Sequence, residues 1–222
     1  MEHSSRHDRG APRGADRGER EKADSRELLL AAALRLFAAR GLNGTTVKEI
    51  AEEAGVNVSL VSYYFQGKEG LFVACLKPFG SSLLATAERV LKPASTREEF
   101  EVRLTLFIEE FLEAHLKQPE FTQILHRDCA VVGSEVKQLY SGSFFPIFES
   151  LVRFTLGARK AGFLRPDCEP VIACGFLIGG LVQAIRMDFI TQEHFKQSIQ
   201  ESRYREKVIH HVVRNFMQGV SA

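Results

Sequence analysis

Residues 57–65 read Asn-Val-Ser-Leu-Val-Ser-Tyr-Tyr-Phe. At helical spacing, Val61 and Phe65 share one face suited to burial. Ser59, Leu60, Ser62, Tyr63 and Tyr64 take up the rest of the surface. Hydroxyls donate to phosphate oxygens and to base edges, and an apolar side chain can meet a thymine methyl. Two adjacent tyrosines on so short a helix cannot both point inward. The chemistry on offer is that of a duplex-reading surface.

Such a helix needs a scaffold, and the preceding residues supply one. Thr46 and Glu49 have the spacing of a capping box, which starts a short helix carrying Ile50, Ala51 and Ala54. Gly55 closes it, because the chain must reverse tightly there. Asn57 can cap the next helix, ending near Phe65. Ahead of both, Asp24 and Glu27 are spaced as another capping box. Leu28, Leu29, Ala32, Leu36 and Phe37 then recur at helical spacing up to Gly41. The result is a long helix, then a helix-turn-helix at about 46–65, whose second helix can enter a major groove. Residues 1–23 contain no leucine, isoleucine, valine or aromatic residue and read as a disordered tail.

Past residue 67 the pattern stays helical. A fourth helix runs from Lys68 toward Leu91, with a bend or break expected near Lys77 because Pro78 removes a hydrogen bond. Further helices are expected over about 96–117, from Pro119, over 143–161, over 168–190 and over 198–217, the last starting in a Ser198–Glu201 capping box. The fold class is all-α: a small N-terminal three-helix unit and a larger helical body.

Composition narrows the function. The 222 residues hold 29 Lys+Arg against 28 Asp+Glu, a net charge of +1, which excludes a strongly basic nucleic-acid coat. No apolar run reaches the roughly 20 residues of a membrane span. No apolar segment follows the N-terminal charges, so no secretory signal is expected. Cys75, Cys129, Cys168 and Cys174 form no CxxC pair, and reduced thiols in a cytoplasmic protein are expected. His126 with Cys129, and His210 with His211, fall short of the four ligands of a zinc site, so neither metal nor cofactor is expected. GxSxG, P-loop, Rossmann and HExxH patterns are lacking, and Glu109-Glu110 reads as a solvated face, so an enzyme is not expected.

Residues 24–76 resemble the DNA-binding domain of the tetracycline-repressor (TetR) family. The resemblance rests on Ala33, Leu36, Phe37, Gly41, Thr45-Thr46-Val47, Ile50-Ala51, Ala54-Gly55-Val56, Tyr63, Phe65, Lys68-Glu69 and Leu71. It implies that Thr45 and Thr46 meet phosphate at a helix N-terminus, with Tyr63 and Lys68 as further phosphate contacts. It also implies that Val58, Ser59, Leu60 and Ser62 lie where bases are read. Ser62 and Tyr64 depart from a common aromatic and histidine pattern, which leaves the operator open. Tyr64 either joins this surface or packs against the fourth helix. Residues 1–75 hold eleven basic and eleven acidic side chains, so Glu49, Glu52 and Glu53 must face away from DNA, with Lys48 and Lys68 nearer the phosphates.

The resemblance further implies that residues 77–222 bind an effector and dimerise through the last two long helices. Gly175 and Gly179 form a GxxxG step suited to a helix pair, across a dimer or within the body; Val208, Val212 and Phe216 make an apolar stripe. Seventeen phenylalanines suggest an apolar cavity lined by residues such as Phe107, Phe111, Leu125, Phe145, Phe148 and Phe176, or an ordinary core. The expected protein is a cytoplasmic, nucleoid-associated transcriptional regulator. Its expected form is a homodimeric repressor released from a palindromic double-stranded operator by a small apolar effector. The alternatives are an all-α enzyme or carrier using the cavity, and an architectural DNA-binding protein without an effector.

Overall fold

The computed structural model describes residues 13–128 and 134–220, and every regular element in it is a helix. The reader unit is built from α1 (Arg13–Arg40), α2 (Val47–Ala54), α3 (Ser59–Phe65) and the start of α4 (Lys68–Val90). Leu29, Ala32, Ala33 and Phe37 of α1 are buried against Ile50, Val61, Phe65, Leu71 and Phe72. The Phe37 and Phe72 rings meet edge to face at 5.2 Å. Fully burying such a side chain stabilises by about 1.5–3 kcal/mol, which is why the short α2 and α3 hold their shape against α1 and α4.

One expected boundary moves. α1 does not begin at Asp24 but runs back to Arg13, so Asp24 and Glu27 lie inside the helix and are exposed rather than capping it. The expected tail at positions 1–12 lies outside the described residues.

α4 continues through Pro78 without a break. The proline leaves one carbonyl without its helical donor, and buried Cys75, Leu76, Phe79 and Leu83 keep the helix seated on both sides of it. α4 has the length and apolar content of a membrane span, as do the helices Pro170–Arg186 and Asp188–Phe195 if taken together. The buried side chains of α4 place it in the centre of the core.

The body adds α5 (Arg97–Lys117), α6 (Pro119–Asp128) and α7 (Ser134–Leu139). A π turn (Tyr140–Phe144) follows and leads into α8 (Phe145–Lys160). Thr96 caps α5 by accepting the Glu99 N–H, and Phe100, Leu104, Phe107, Ile108, Phe111 and Leu112 are its buried stripe. The helix expected from position 143 thus starts nine residues earlier, at Ser134, and carries a π turn. The site of that turn has a packing partner: a Cβ on Gly80 of α4 would lie 2.9 Å from Ser143 Cβ and 3.2 Å from the Phe144 ring. Only a residue without a side chain lets α4 approach so closely.

The chain ends in α9 (Pro170–Arg186), α10 (Asp188–Phe195) and α11 (Ser202–Val220). The single helix expected over 168–190 is two, bent by 54°. Asp188 explains both the bend and the later start of α11. Its carboxylate accepts from Ser198 Oγ at 2.8 Å and from the Ile199 N–H at 2.7 Å. Ser198 is thereby tied to α10 instead of forming a capping box with Glu201.

Candidate nucleic-acid interface and effector cavity

The α2 N-terminus is a closed capping box. Thr46 Oγ1 accepts the Glu49 N–H at 3.2 Å, and the Thr46 N–H donates to Glu49 Oε2 at 2.9 Å. The Thr46 hydroxyl also donates to Glu49 Oε2, at 2.7 Å, and Arg40 holds Oε1 at 2.8 Å. The bonds from Thr46, with the nearby Arg40 charge, hold the Glu49 carboxyl below the usual carboxylate range. Glu53 pairs with Arg35 at 3.0 Å and Glu52 with Lys48 at 3.7 Å. Two of the three acids of α2 are therefore turned onto arginines of α1, and the third onto the lysine one turn before it.

Thr45 is corrected. It is fully buried, and its hydroxyl donates to the Gly41 carbonyl at 2.9 Å and lies 3.3 Å from that of Leu36. Its side chain ties off the end of α1 and does not reach a phosphate. Lys68 also differs from expectation. Its half-buried ammonium donates to the carbonyl oxygens of Leu42 and Thr45 at 2.8 and 2.9 Å. Two of its three donors are spent on the α1–α2 loop.

Gly55 takes the left-handed conformation at φ 67°, which lets α3 cross α2. Asn57 Oδ1 accepts both the Ser59 N–H (2.9 Å) and the Ser59 hydroxyl (2.8 Å). α3 buries Val61 and Phe65 and exposes Ser59, Ser62 and Tyr63, the last with 68% of its surface free, and Val58 at its N-cap is exposed beside them. Leu60 and Tyr64 are half-buried and pack against the core. The Tyr64 ring stands edge-on to Tyr63 at 4.9 Å. Arg26 of α1 lies 5.3 Å above the Phe65 ring and braces α3 from behind. The exposed set is thus Thr46, Lys48, Val58, Ser59, Ser62 and Tyr63.

In the body, a cavity of about 170 Å³ lies between Leu83 of α4, Phe111 and His115 of α5 and Leu125 of α6. Tyr140 and Phe144 of the π turn, Ile147 and Phe148 of α8, and Ile178 and Val182 of α9 complete it. Phe111, Leu125 and Phe148 are brought together as expected residues of one cavity. Phe107 is not: it is wholly buried in the core beside it. Phe145 is 54% exposed and Phe176 79% exposed, both on the outside. His115, Tyr140 and Phe144 were missed; His115 lies one helical turn after Phe111, which is the signal that marks it.

The GxxxG residues face outward. Gly175 and Gly179 are exposed, with no atom within 4 Å of a Cβ built on either. Among the described residues, the helix approach they permit is not used. Val171, Ile172 and Phe176 are exposed on the same helix, and a groove of about 430 Å³ runs between Ile172, Phe176, Asn215 and Gly219. Val208 and Val212 of α11 are half-buried, while Phe216 is buried in the core and only its edge lines the groove. Among the described residues no cluster of three metal-ligating side chains occurs. Cys129 of the expected His126–Cys129 pair lies outside the described residues.

A capped helix-turn-helix on an α-helical body with an apolar pocket defines a class of DNA-binding regulators. Residues 29–75 match the family model of bacterial regulatory proteins of the tetR family. The chain is 30% identical to the HTH-type transcriptional repressor KstR2 of Mycolicibacterium smegmatis over 169 residues, 71% of this chain and 76% of that protein. It is 29% identical over 120 residues to YttP of Bacillus subtilis, named as an HTH-type transcriptional regulator. There it covers 54% of this chain and 58% of that protein, less than two thirds of its length. The fold matches HlyIIR, a hemolysin II transcriptional regulator, with a TM-score of 0.64 and 20% identity over 90% of this chain and 99% of that one. The chain belongs to the TetR family of bacterial transcriptional regulators.

Proposed function

We propose that the chain is a homodimeric, sequence-specific repressor that binds a palindromic operator and is released by a small apolar effector. The observation that carries this is the outer face of α3. Ser59, Ser62 and Tyr63, with Val58 at the N-cap, stand exposed on a helix whose other face, Val61 and Phe65, is fixed in the core. That combination offers rigid hydroxyls and one apolar contact to a major groove. Thr46, Lys48 and Tyr63 are the phosphate contacts in this reading, and the pairing of Arg35, Arg40 and Lys48 with acids keeps the number small.

A single short reading helix binds weakly, so two copies are needed, spaced by one helical turn of DNA. The exposed stripe of α9, with Gly175, Gly179 and Phe176, and the adjoining edge of α11 with Val208 and Val212 support a two-fold contact. Repression is the action printed in the name of KstR2. An effector in the cavity acts only by favouring the arrangement that cannot span two half-sites. The working place of such a protein is the cytoplasm, at the nucleoid.

The test is selection of bound sequences from random duplex DNA by the purified protein. Enrichment of a palindrome is expected. Binding without sequence enrichment would instead identify an architectural DNA-binding protein.

A further inference from the structure

Three helices close a triangle where the reader meets the body. At the first corner the Cys75 thiol of α4 lies 3.7 Å from the Leu30 carbonyl oxygen of α1. Burial pushes that thiol up to about 12, so it keeps its hydrogen and donates. At the second corner the Phe79 ring of α4 stacks on Phe121 of α6 at 5.2 Å. At the third, Arg127 of α6 donates from Nη1 to the Ala38 carbonyl oxygen of α1 at 3.0 Å, 89 positions earlier in the chain. α1 packs against both α4 and α6 along this triangle. Its sides are about 12 Å on α1, 6 Å on α4 and 9 Å on α6, at roughly 1.5 Å per helical residue.

The α4 side is the weakest. Pro78 stands between Cys75, which holds the reader, and Phe79, which holds the body, and it removes a backbone hydrogen bond from that turn. α4 alone would let the reader rock on the body. A triangle with fixed sides keeps its shape as long as its corners hold. The corner at Ala38 is polar. Carbonyls in the last turn of a helix run out of helical donors and carry partial negative charge, which a guanidinium complements. Arg127 is exposed, so its removal opens this corner without emptying the core.

The orientation of the reader has a direct readout on DNA. One base pair added between two half-sites moves them apart by about 3.4 Å and turns them by about 35°, half of it borne by each reader. We propose that Arg127 is a positioning residue that fixes the separation of the operator half-sites, by locking α1 to α6 across the Pro78 turn. The inference rests on the reading of the chain as a dimer on a palindromic operator and adds the residue that sets its spacing. Arg127 touches no base; the exposed face of α3 reads the sequence.

The experiment compares wild type, Arg127→Met and Arg127→Lys on the palindrome selected by the wild type, and on versions with one central base pair added or removed. Wild type is expected to bind the selected spacing at least tenfold more tightly than either altered one. Arg127→Met should discriminate less than threefold while selecting the same half-site sequence. Arg127→Lys still offers a donor to the Ala38 carbonyl and should keep most of the discrimination. Phe121→Leu opens a second corner and should relax the spacing likewise, which decides the matter if Arg127→Met does not fold. Tenfold discrimination retained by Arg127→Met, or an equal loss of affinity at every spacing, overturns the proposal. So does an Arg127→Lys variant as relaxed as Arg127→Met. Failure of the wild type to select a palindrome sinks the two-site reading and this proposal with it. A wild type that selects a palindrome but tolerates all three spacings sinks this proposal alone.

Discussion

Lys68 Nζ donates to the Thr45 carbonyl oxygen at 2.9 Å, twenty-three residues earlier in the chain. The same ammonium donates to the Leu42 carbonyl at 2.8 Å. One cation at the start of α4 therefore satisfies carbonyls beyond the end of α1, directly before the cap of α2. It fixes where Thr46 stands relative to α3. This makes Lys68 a positioning residue before it is a phosphate ligand.

Lys68→Met is expected to weaken operator binding while leaving the dependence of log affinity on log salt unchanged. A direct phosphate contact would behave differently: its loss makes the slope shallower by about 0.9 per subunit, roughly 1.8 for a dimer. Binding isotherms at four salt concentrations separate the two. For the wild-type dimer the slope should be no steeper than about −10, since Arg35, Arg40 and Lys48 are each paired with an acid.

The capping box has a pH signature. Glu49 is held below the usual carboxylate range by its bonds from Thr46 and by Arg40, so the folded state binds its proton less readily than the unfolded chain. Its contribution is fully present above the ordinary glutamate pKa of about 4.3 and is lost as pH falls through the depressed value. Acid titration of stability should be shallower in Glu49→Gln than in wild type over about pH 5 to 3. Thr46→Ala should cost about 0.5–2 kcal/mol at neutral pH, read by urea melts.

Gly80→Ala is expected to destabilise by about 1–3 kcal/mol, because its Cβ would meet Ser143 Cβ at 2.9 Å. Gly157→Ala is the control. Nothing lies within 4 Å of that Cβ, and the position is helical, so it should stabilise by up to about 1 kcal/mol. Equal behaviour of the two variants in thermal melts would contradict the close seat of α4 on the π turn.

Phe176→Glu places a charge on a side chain that is 79% exposed. The fold should survive, with an unchanged circular dichroism spectrum. Sedimentation should show a monomer where the wild type sediments as a dimer, and operator affinity should fall with it. A dimer retained by this variant would place the interface elsewhere.

Tyr63→Phe removes one hydroxyl from the most exposed ring of α3. It should weaken binding to every DNA sequence by about 1.5–3 kcal/mol per subunit, the range of a hydrogen bond to a charged group. Ser59→Ala should instead change the preferred base at particular operator positions. Selection repeated with each variant distinguishes a uniform loss from a changed sequence.

The reader was legible because its signals are local. The Thr46–Glu49 box, Gly55 and the Val61–Phe65 pair each depend on residues within four positions of one another. The helix breaks were less legible. Nothing in the composition of residues 168–190 marks Met187 as a bend, since the residue that holds it, Asp188, works through Ser198 and Ile199 ten and eleven positions away. The π turn is similar: its packing partner Gly80 lies some sixty positions earlier in the chain.

Side-chain roles divided along the same line. Thr45 and Thr46 are neighbours of identical chemistry, yet one is sealed beneath α1 and the other caps α2 at the surface. Phe107 and Phe111 share a stripe of α5, and only Phe111 borders the cavity. Helical periodicity and caps set which residues form helices and which face is apolar, because those depend on backbone sterics and hydrogen bonds within a turn or two. Which apolar side chain meets a void, a second helix or solvent was decided by how α4, the π turn and α9 close around one another. Those contacts join residues far apart in the chain, and no local pattern contains them.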